Sequence, residues 1–247
     1  MSIESDADWA GLREVGRMTR LTLDALESHV RAGVTTAELD DVAAAVLARY
    51  GARSAPALVY DFPRTVLISV NDEIVHGVPG QRRLVPGDLV KLDVTLEKDG
   101  YVADAARTVI VDRGSDVARR LARCASDAFD AALRVATAGA RVNQIGRAVE
   151  REVRRQGFAV VHGLAGHGVG RTIHEWPDVP NHYVPWQTDV LTEGLVLTIE
   201  PMISAGSSHP VQDADGWTIR TEDGSLSAHH EHTIVITRDA PIVLTAA

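Results

Sequence analysis

Five residues constrain this chain more than any other feature: Asp93, Asp104, His167, Glu200 and Glu231. Several of the acids sit in or beside apolar, strand-like runs. Asp93 stands among Leu89, Val90, Leu92 and Val94, Glu200 follows Leu197 and Ile199, and Glu231 precedes Ile234-Val235-Ile236. A carboxylate in such a run has to be paired or hydrogen-bonded, because a bare buried charge is very costly. Four of them gathered indoors also repel one another. Four negative charges match two divalent cations, and two ions roughly 3.5–4 Å apart can share a water, lower its pKa towards ~7 and polarise a carbonyl. The pattern points to hydrolytic chemistry.

Local spacing sharpens this reading. The run Val90-Lys91-Leu92-Asp93-Val94 is strand-like and leads to Asp99-Gly100, a two-residue hairpin signal. With Asp99 and Gly100 in the loop, Asp93 lies opposite Ala106, and Asp104 becomes its same-face diagonal neighbour, about 7–8 Å away between Cα atoms. His167 sits in Gly166-His167-Gly168-Val169-Gly170, where the glycines let backbone and imidazole approach a bulky or charged group. Histidines surround Glu231 at His229, His230 and His232. Adjacent strand residues point to opposite faces, so these cannot all serve one ion. The donor set, four carboxylates and one imidazole with no thiolate, suits Mn²⁺, Fe²⁺ or Co²⁺ better than a structural tetrahedral zinc.

The rest of the chain sets limits. Its 247 residues are 45% hydrophobic and 24% charged, an ordinary globular composition long enough for one large domain or two fused halves. No apolar run approaches the roughly 18 residues that span a bilayer, so no membrane segment is expected. The acidic stretch Met1–Trp9 does not read as a signal peptide. With the single cysteine Cys124, this makes the cytoplasm the expected compartment. A net charge of −9 and 4% aromatic residues argue against dedicated nucleic-acid binding. The basic clusters Arg119–Arg123 and Arg151–Arg155 read as solvated helix faces, with a local contact to ribosomal RNA as the alternative.

A faint internal repeat runs through the chain. Gly33 to Gly51 and Gly139 to Gly157 are both separated by 18 residues, with an offset of 106 between the copies. Each pair brackets a helical pattern; the first opens on Thr35 and Glu38, a capping-box spacing, and both close on a glycine suited to a C-terminal cap. In the first half, helices over about Trp9–Ala32 and up to Tyr50 precede strands at Thr65–Val70, Leu89–Leu96 and Val102–Val111. In the second, helices over Ser115–Thr137 and Val142–Arg155 precede strands near Ala159–His162, Gly194–Ser204, Trp217–Arg220 and His230–Thr237. Two helices followed by strands, twice over, predict an α+β duplication with halves at about 9–112 and 115–240 and helices outside the sheet. Long loops at His174–Leu191 and Gly206–Gly216 are expected to form a site rim.

Taken together, these segments resemble the type I methionine aminopeptidases of the creatinase-like pita-bread fold. The resemblance runs from about Leu12 to Leu244. It is carried by Ser69-Val70-Asn71-Asp72-Glu73-Ile74-Val75-His76-Gly77-Val78-Pro79, Gly87-Asp88 through Asp93 and Asp104, Gly166–Arg171 with His174-Glu175, Thr198–Met202, Asp215–Thr218 and Glu231-His232-Thr233. It implies a single catalytic domain over 1–247, with two pseudo-twofold-related halves, curved antiparallel sheets and outer helices. It also implies two divalent ions (Co, Mn, Fe, Zn or Ni), bridged by Asp104 and Glu231, with Asp93 on one and His167 and Glu200 on the other. Glu200 would double as the base, and His76 and His174 would contact the scissile amide. Phe62, Leu67, Ile173 and Trp217 would wall the side-chain pocket. The implied partners are the N-termini of nascent polypeptides, and the implied state is a monomer.

The chain departs from that family at several points. Pro56, Val59, Phe62 and Leu67 stand where pocket cysteines and tyrosines are usual, Val102-Ala103 replaces His-Gly before the second aspartate, and His230 replaces an aromatic before Glu231. None removes a ligand. Proline-directed aminopeptidases of the same fold usually carry a large N-terminal domain, for which there is no room. Peptide-binding relatives without catalysis have lost ligands that are all present here. His167 and Glu200 are 33 residues apart, which favours type I over the insertion-bearing type II.

Overall fold

The computed structural model describes residues 1–246. The first half opens with helix α1 (Asp6–His29), which the Ser5 hydroxyl caps by accepting from the Asp8 N–H. It starts three residues before the expected Trp9 and stops three short of Ala32. Leu12, Val15, Thr19, Leu23 and Leu26 recur at helical spacing and are buried. Helix α2 (Thr36–Tyr50) carries the expected capping box and ends at Gly51 in the left-handed region. There follow β1 (Arg53–Ser54), the short α3 (Ala55–Tyr60), β2 (Leu67–Val70), β3 (Glu73–Val75), β4 (Leu89–Lys98) and β5 (Tyr101–Ile110). Asp99 and Gly100 both have positive φ, +50° and +82°, and close β4 and β5 as a two-residue hairpin.

The second half opens with α4 (Asp116–Leu133), capped by Ser115, and α5 (Val142–Arg155). Strands β6 (Ala159–Val160), β7 (Ala165–Gly168), β8 (Glu175–Pro180), β9 (Val196–Ile199), β10 (Met202–Ser204), β11 (Pro210–Gln212), β12 (Ile219–Thr221), β13 (Ser227–His229), β14 (Glu231–Val235) and β15 (Ile242–Val243) complete it. One antiparallel sheet runs β1-β4-β5-β14-β9-β7-β8, with β2 added to β4 and β15 to β14. Two three-stranded sheets, β13-β10-β6 and β11-β12-β3, flank it. Each half has its own buried apolar cluster. One packs α1 and α2 on β4 and β5, the other packs α4 and α5 on β9, β10 and β13. The halves meet where β5 pairs with β14.

Several expected elements differ. The single strand expected over Gly194–Ser204 is two, β9 and β10, in different sheets. Pro201 has no N–H to continue the ladder, so pairing stops at Glu200-Pro201 and the chain crosses over. The expected rim loop His174–Leu191 contains β8, and Gly206–Gly216 contains β11. The run expected over His230–Thr237 pairs only as β14, with β13 just ahead of it. The arginines of α4 and α5 are largely engaged locally: Arg119 pairs with Asp116, Arg155 with Glu152, and Arg154 with Glu150 at 2.7 Å. No described helix is long and apolar enough to cross a membrane.

Gly146 lies inside α5, where alanine ordinarily stabilises by about 0.5–1 kcal/mol. Here a Cβ would stand 2.2 Å from the His182 carbonyl oxygen and 2.7 Å from that of Pro180, both backbone atoms. Gly146→Ala is therefore expected to destabilise, by about 1–3 kcal/mol as for other overpacked sites. A thermal melt showing an unchanged or higher Tm would contradict this packing.

Candidate active site

The hairpin register fixes the first two acids. Asp93 pairs with Ala106 and Asp104 with Thr95, so both carboxylates rise from one face of β4–β5. Ala106 also pairs with Glu231 on β14, which sets Asp93, Ala106 and Glu231 in one row across three strands. His167 comes from β7, and Glu200 stands just beyond the end of β9. Ligand-type atoms of Asp104, His167 and Glu231 all lie within 4.8 Å of one another. His167 Nε2 is 3.9 Å from Asp104 Oδ2 and 3.5 Å from Glu200 Oε1. The four acids and one imidazole singled out in the sequence are thus gathered in one place.

Hydrogen bonds orient them. His167 Nδ1 lies 2.9 Å from the Gly168 carbonyl, an acceptor, so Nδ1 carries the proton and the Nε2 lone pair faces the acids. Close approach at Gly168 requires glycine, since a Cβ there would stand 2.2 Å from the Trp176 carbonyl oxygen. The Thr198 hydroxyl donates to Glu200 Oε1 at 2.7 Å and accepts from the His167 N–H at 3.0 Å. Asn181 Nδ2 donates to the Glu200 carbonyl at 3.0 Å. Thr233 Oγ1 donates to the Asp104 carbonyl at 2.7 Å and accepts the Asp104 N–H at 2.9 Å. Asp104 Oδ1 and Glu231 Oε1 are buried with no hydrogen-bond partner among the described residues.

The electrostatics follow from burial. Glu200 is pushed up to about 8, by loss of hydration first and by Asp104 next. Asp104 rises to about 6 through burial, restrained by hydrogen bonds from Thr95 and Ala105. Asp93 and Glu231 are driven well above the usual carboxylate range, by burial and then by neighbouring acids, Asp104 foremost. His167 is lowered to about 4, by burial and then by His174, and stays neutral. Such a cluster has a large unmet demand for positive charge.

The acids floor a cleft of about 430 Å³. Phe62, Leu67, Ile173 and Trp217 line it as expected, and Phe62 meets Trp217 edge to face at 5.2 Å between centroids. Pro56 also lines it, whereas Val59 is 54% exposed and does not. The short helix α3 turns Val59 outward and presents Tyr60 instead, whose hydroxyl stands 2.6 Å from His174 Nδ1. His76 and His174 are exposed at the mouth, and the His174 ring stands 4.2 Å from that of His167. His76 has φ +60°, a backbone state uncommon outside glycine and frequent at functional sites. Pairing of β3 with β12 sets Val75 opposite Ile219, and Arg220 ties Asp72 and Glu73 to Asp213, which holds His76 near Trp217.

Sequence reasoning missed Tyr60, Thr198, Asn181 and His229, all in or beside the cleft. The alternation rule carried the signal for His229, since a residue two before Glu231 shares its face. His230 and His232 do point the other way, onto Phe129.

The pattern of metallopeptidase family M24 matches residues 10–238. The chain is 42% identical over 247 residues to methionine aminopeptidase 2 of Bacillus subtilis (strain 168), covering 99% of each chain. It superposes on a crystal structure of methionine aminopeptidase from Rickettsia prowazekii with a TM-score of 0.95, at 34% identity, covering 99% of this chain and 100% of that one. The prolidase of Pyrococcus furiosus shares the fold, with a TM-score of 0.80 at 21% identity, and the match spans 65% of that longer chain. Family pattern and relatives thus agree with the buried acid cluster, and this chain belongs to metallopeptidase family M24.

Proposed function

We propose that this metal-dependent aminopeptidase removes the N-terminal methionine from nascent polypeptides and peptides whose second residue is small. The observation that carries the reading is the acid cluster and imidazole at the floor of an apolar-walled cleft. The donor set fits divalent cations: orphaned carboxylate oxygens on Asp104 and Glu231, raised proton affinities on all four acids, and an imidazole with its lone pair turned inward. Asp93, Asp104, His167, Glu200 and Glu231 would together hold two such ions. When bound, such ions polarise a carbonyl and bring the pKa of a shared water towards ~7.

The chain's own groups do the rest. Phe62, Leu67, Ile173 and Trp217 receive the methionine side chain, whose flexible thioether suits an aromatic and aliphatic wall. Glu200, held by Thr198, takes a proton from the attacking water and returns it to the departing amine as the C–N bond breaks. His76 and His174 hydrogen-bond the scissile amide and stabilise the charge that develops on it. Tyr60, on the wall of the cleft, fixes the His174 ring. A bulky second residue would collide with the acid floor. The cytoplasm, where new N-termini emerge, is the compartment that goes with this reading, and a monomer suffices for it.

Chelated enzyme resupplied with Mn²⁺ or Co²⁺ should cleave Met-Ala-Ser at least tenfold faster than Met-Leu-Ser. Faster release from an Ala-Pro peptide would overturn the substrate assignment in favour of a proline-directed activity.

His174→Ala should retain metal, because His174 is no ligand, while kcat falls by about 10²–10⁴-fold, the usual worth of a positioned acid–base group. Metal loss measured by elemental analysis in that variant would contradict the role.

The raised carboxylates also predict a pH dependence. A group whose folded pKa lies above its unfolded value favours folding at low pH, and that contribution is lost as pH rises through the folded pKa. For Glu200 the window runs from its ordinary 4.5 to about 8. One unit is worth about 1.4 kcal/mol, and each kcal/mol moves Tm by roughly 2–4 °C at this size. Chelated protein should therefore lose on the order of 10 °C in Tm between pH 5 and 8, and saturating Mn²⁺ should abolish or reverse the slope. Equal slopes with and without metal would show that the acids are not mutually strained.

A further inference from the structure

We infer that His229 is a sixth metal ligand, joining Asp93 and Glu231 around one of the two ions, so that each ion has its own imidazole. The inference rests on the dinuclear assignment above and adds to it a donor that the five-residue set does not contain. Donor atoms of Asp93, His229 and Glu231 all lie within 4.8 Å of one another, as do those of Asp104, His167 and Glu231. Glu231 belongs to both groups. The cluster therefore divides into two three-donor sets that share one carboxylate, each with a second acid and a histidine.

Distances agree with shared coordination. His229 Nε2 stands 3.5 Å from Glu231 Oε2, the same separation as His167 Nε2 from Glu200 Oε1. Two donors each about 2.1 Å from one ion, subtending roughly 110°, stand about 3.4 Å apart. The ring is also otherwise unexplained. His229 is 1% exposed, and neither Nδ1 nor Nε2 has a hydrogen-bond partner among the described residues. Buried polar atoms are rarely left so. Its backbone is pinned: β13 sets it opposite Met202, its N–H donates to Thr108 Oγ1 at 2.9 Å, and its carbonyl accepts from that hydroxyl at 2.7 Å. The nearby His232 differs, since its Nδ1 is engaged by Thr245 Oγ1 at 2.8 Å and its ring packs on Phe129.

A second imidazole changes what the site prefers. Nitrogen donors suit Fe²⁺, Co²⁺, Ni²⁺ and Zn²⁺, whereas oxygen donors suit Mn²⁺. Replacing the ring with an amide should penalise the first group more than Mn²⁺.

The test is metal binding by the chelated full-length chain, read by calorimetry and by the visible d–d absorption of Co²⁺. In His229→Gln, one of two Co²⁺ ions should bind at least tenfold more weakly, with an altered d–d envelope, while Mn²⁺ affinity changes less than threefold. His230→Gln, which removes a half-buried ring facing the other way onto Phe129, should leave both isotherms as in the wild type. A folded His229→Gln protein with unchanged Co²⁺ isotherm and spectrum would overturn the inference. If that variant fails to fold, proton NMR of the Co²⁺-loaded wild type decides: paramagnetically shifted signals from two imidazoles support the assignment, and signals from one refute it. Wild-type protein that binds a single ion would instead sink the dinuclear reading itself.

Discussion

Repulsion among four carboxylates in a poorly hydrated cleft is the constraint around which the molecule is arranged. Asp93 and Asp104 come from a hairpin of the first half, Glu231 from β14 of the second and Glu200 from just beyond its β9. Closing the β5–β14 seam forces these like charges together. Burial first, and for Asp93, Glu200 and Glu231 that opposition next, raise their pKa values: without cations the acids favour protonation, and protonated acids are poor ligands. Ions that bind the folded chain and not the unfolded one stabilise it in proportion to RT ln(1 + [L]/Kd). Occupancy of the site and integrity of the seam are therefore the same thermodynamic question.

Beneath the acids, a row of hydroxyls makes the arrangement definite. Thr198 and Thr233 face each other across the β9–β14 ladder. Thr233 reaches sideways to the Asp104 backbone on β5, and Thr198 to the His167 N–H on β7 and the Glu200 carboxylate. Four neighbouring strands are linked through these two side chains, directly under the acids and His167. Both threonines are fully buried. Their bonds fix the relative height of the ligand-bearing strands, which backbone pairing alone leaves free where β7 and β9 share only the register Gly168 to Leu197.

What could be read in the sequence was whatever local rules determine. The hairpin register of Asp93 against Ala106 followed from Asp99-Gly100 and the two-residue period of a strand, and the structure has it. The capping box at Thr35 and Glu38 is equally local and equally present. Errors arose where a local signal was overridden or overlooked. Pro201 divides an apolar run that otherwise reads as one strand, and α3 rotates Val59 out of the cleft and Tyr60 into contact with His174. Juxtapositions such as His229 with Asp93 join segments more than a hundred residues apart. No spacing rule reaches that far.

The walls of the cleft rest on different supports from its floor. Asp93, Asp104, His167 and Glu231 stand on the large sheet, with Glu200 just past β9, whereas His76 and Trp217 are held by the small β11-β12-β3 sheet and by Arg220 among its acidic partners. Phe62 follows α3, outside any sheet. Only Leu67, paired directly with Asp93 on β4, belongs to both wall and floor. The wall residues Pro56, Phe62 and Trp217 therefore stand on supports separate from those of the four acids at the floor. A cleft built this way keeps the groups that carry the charge on one support and the apolar groups that shape its wall on another.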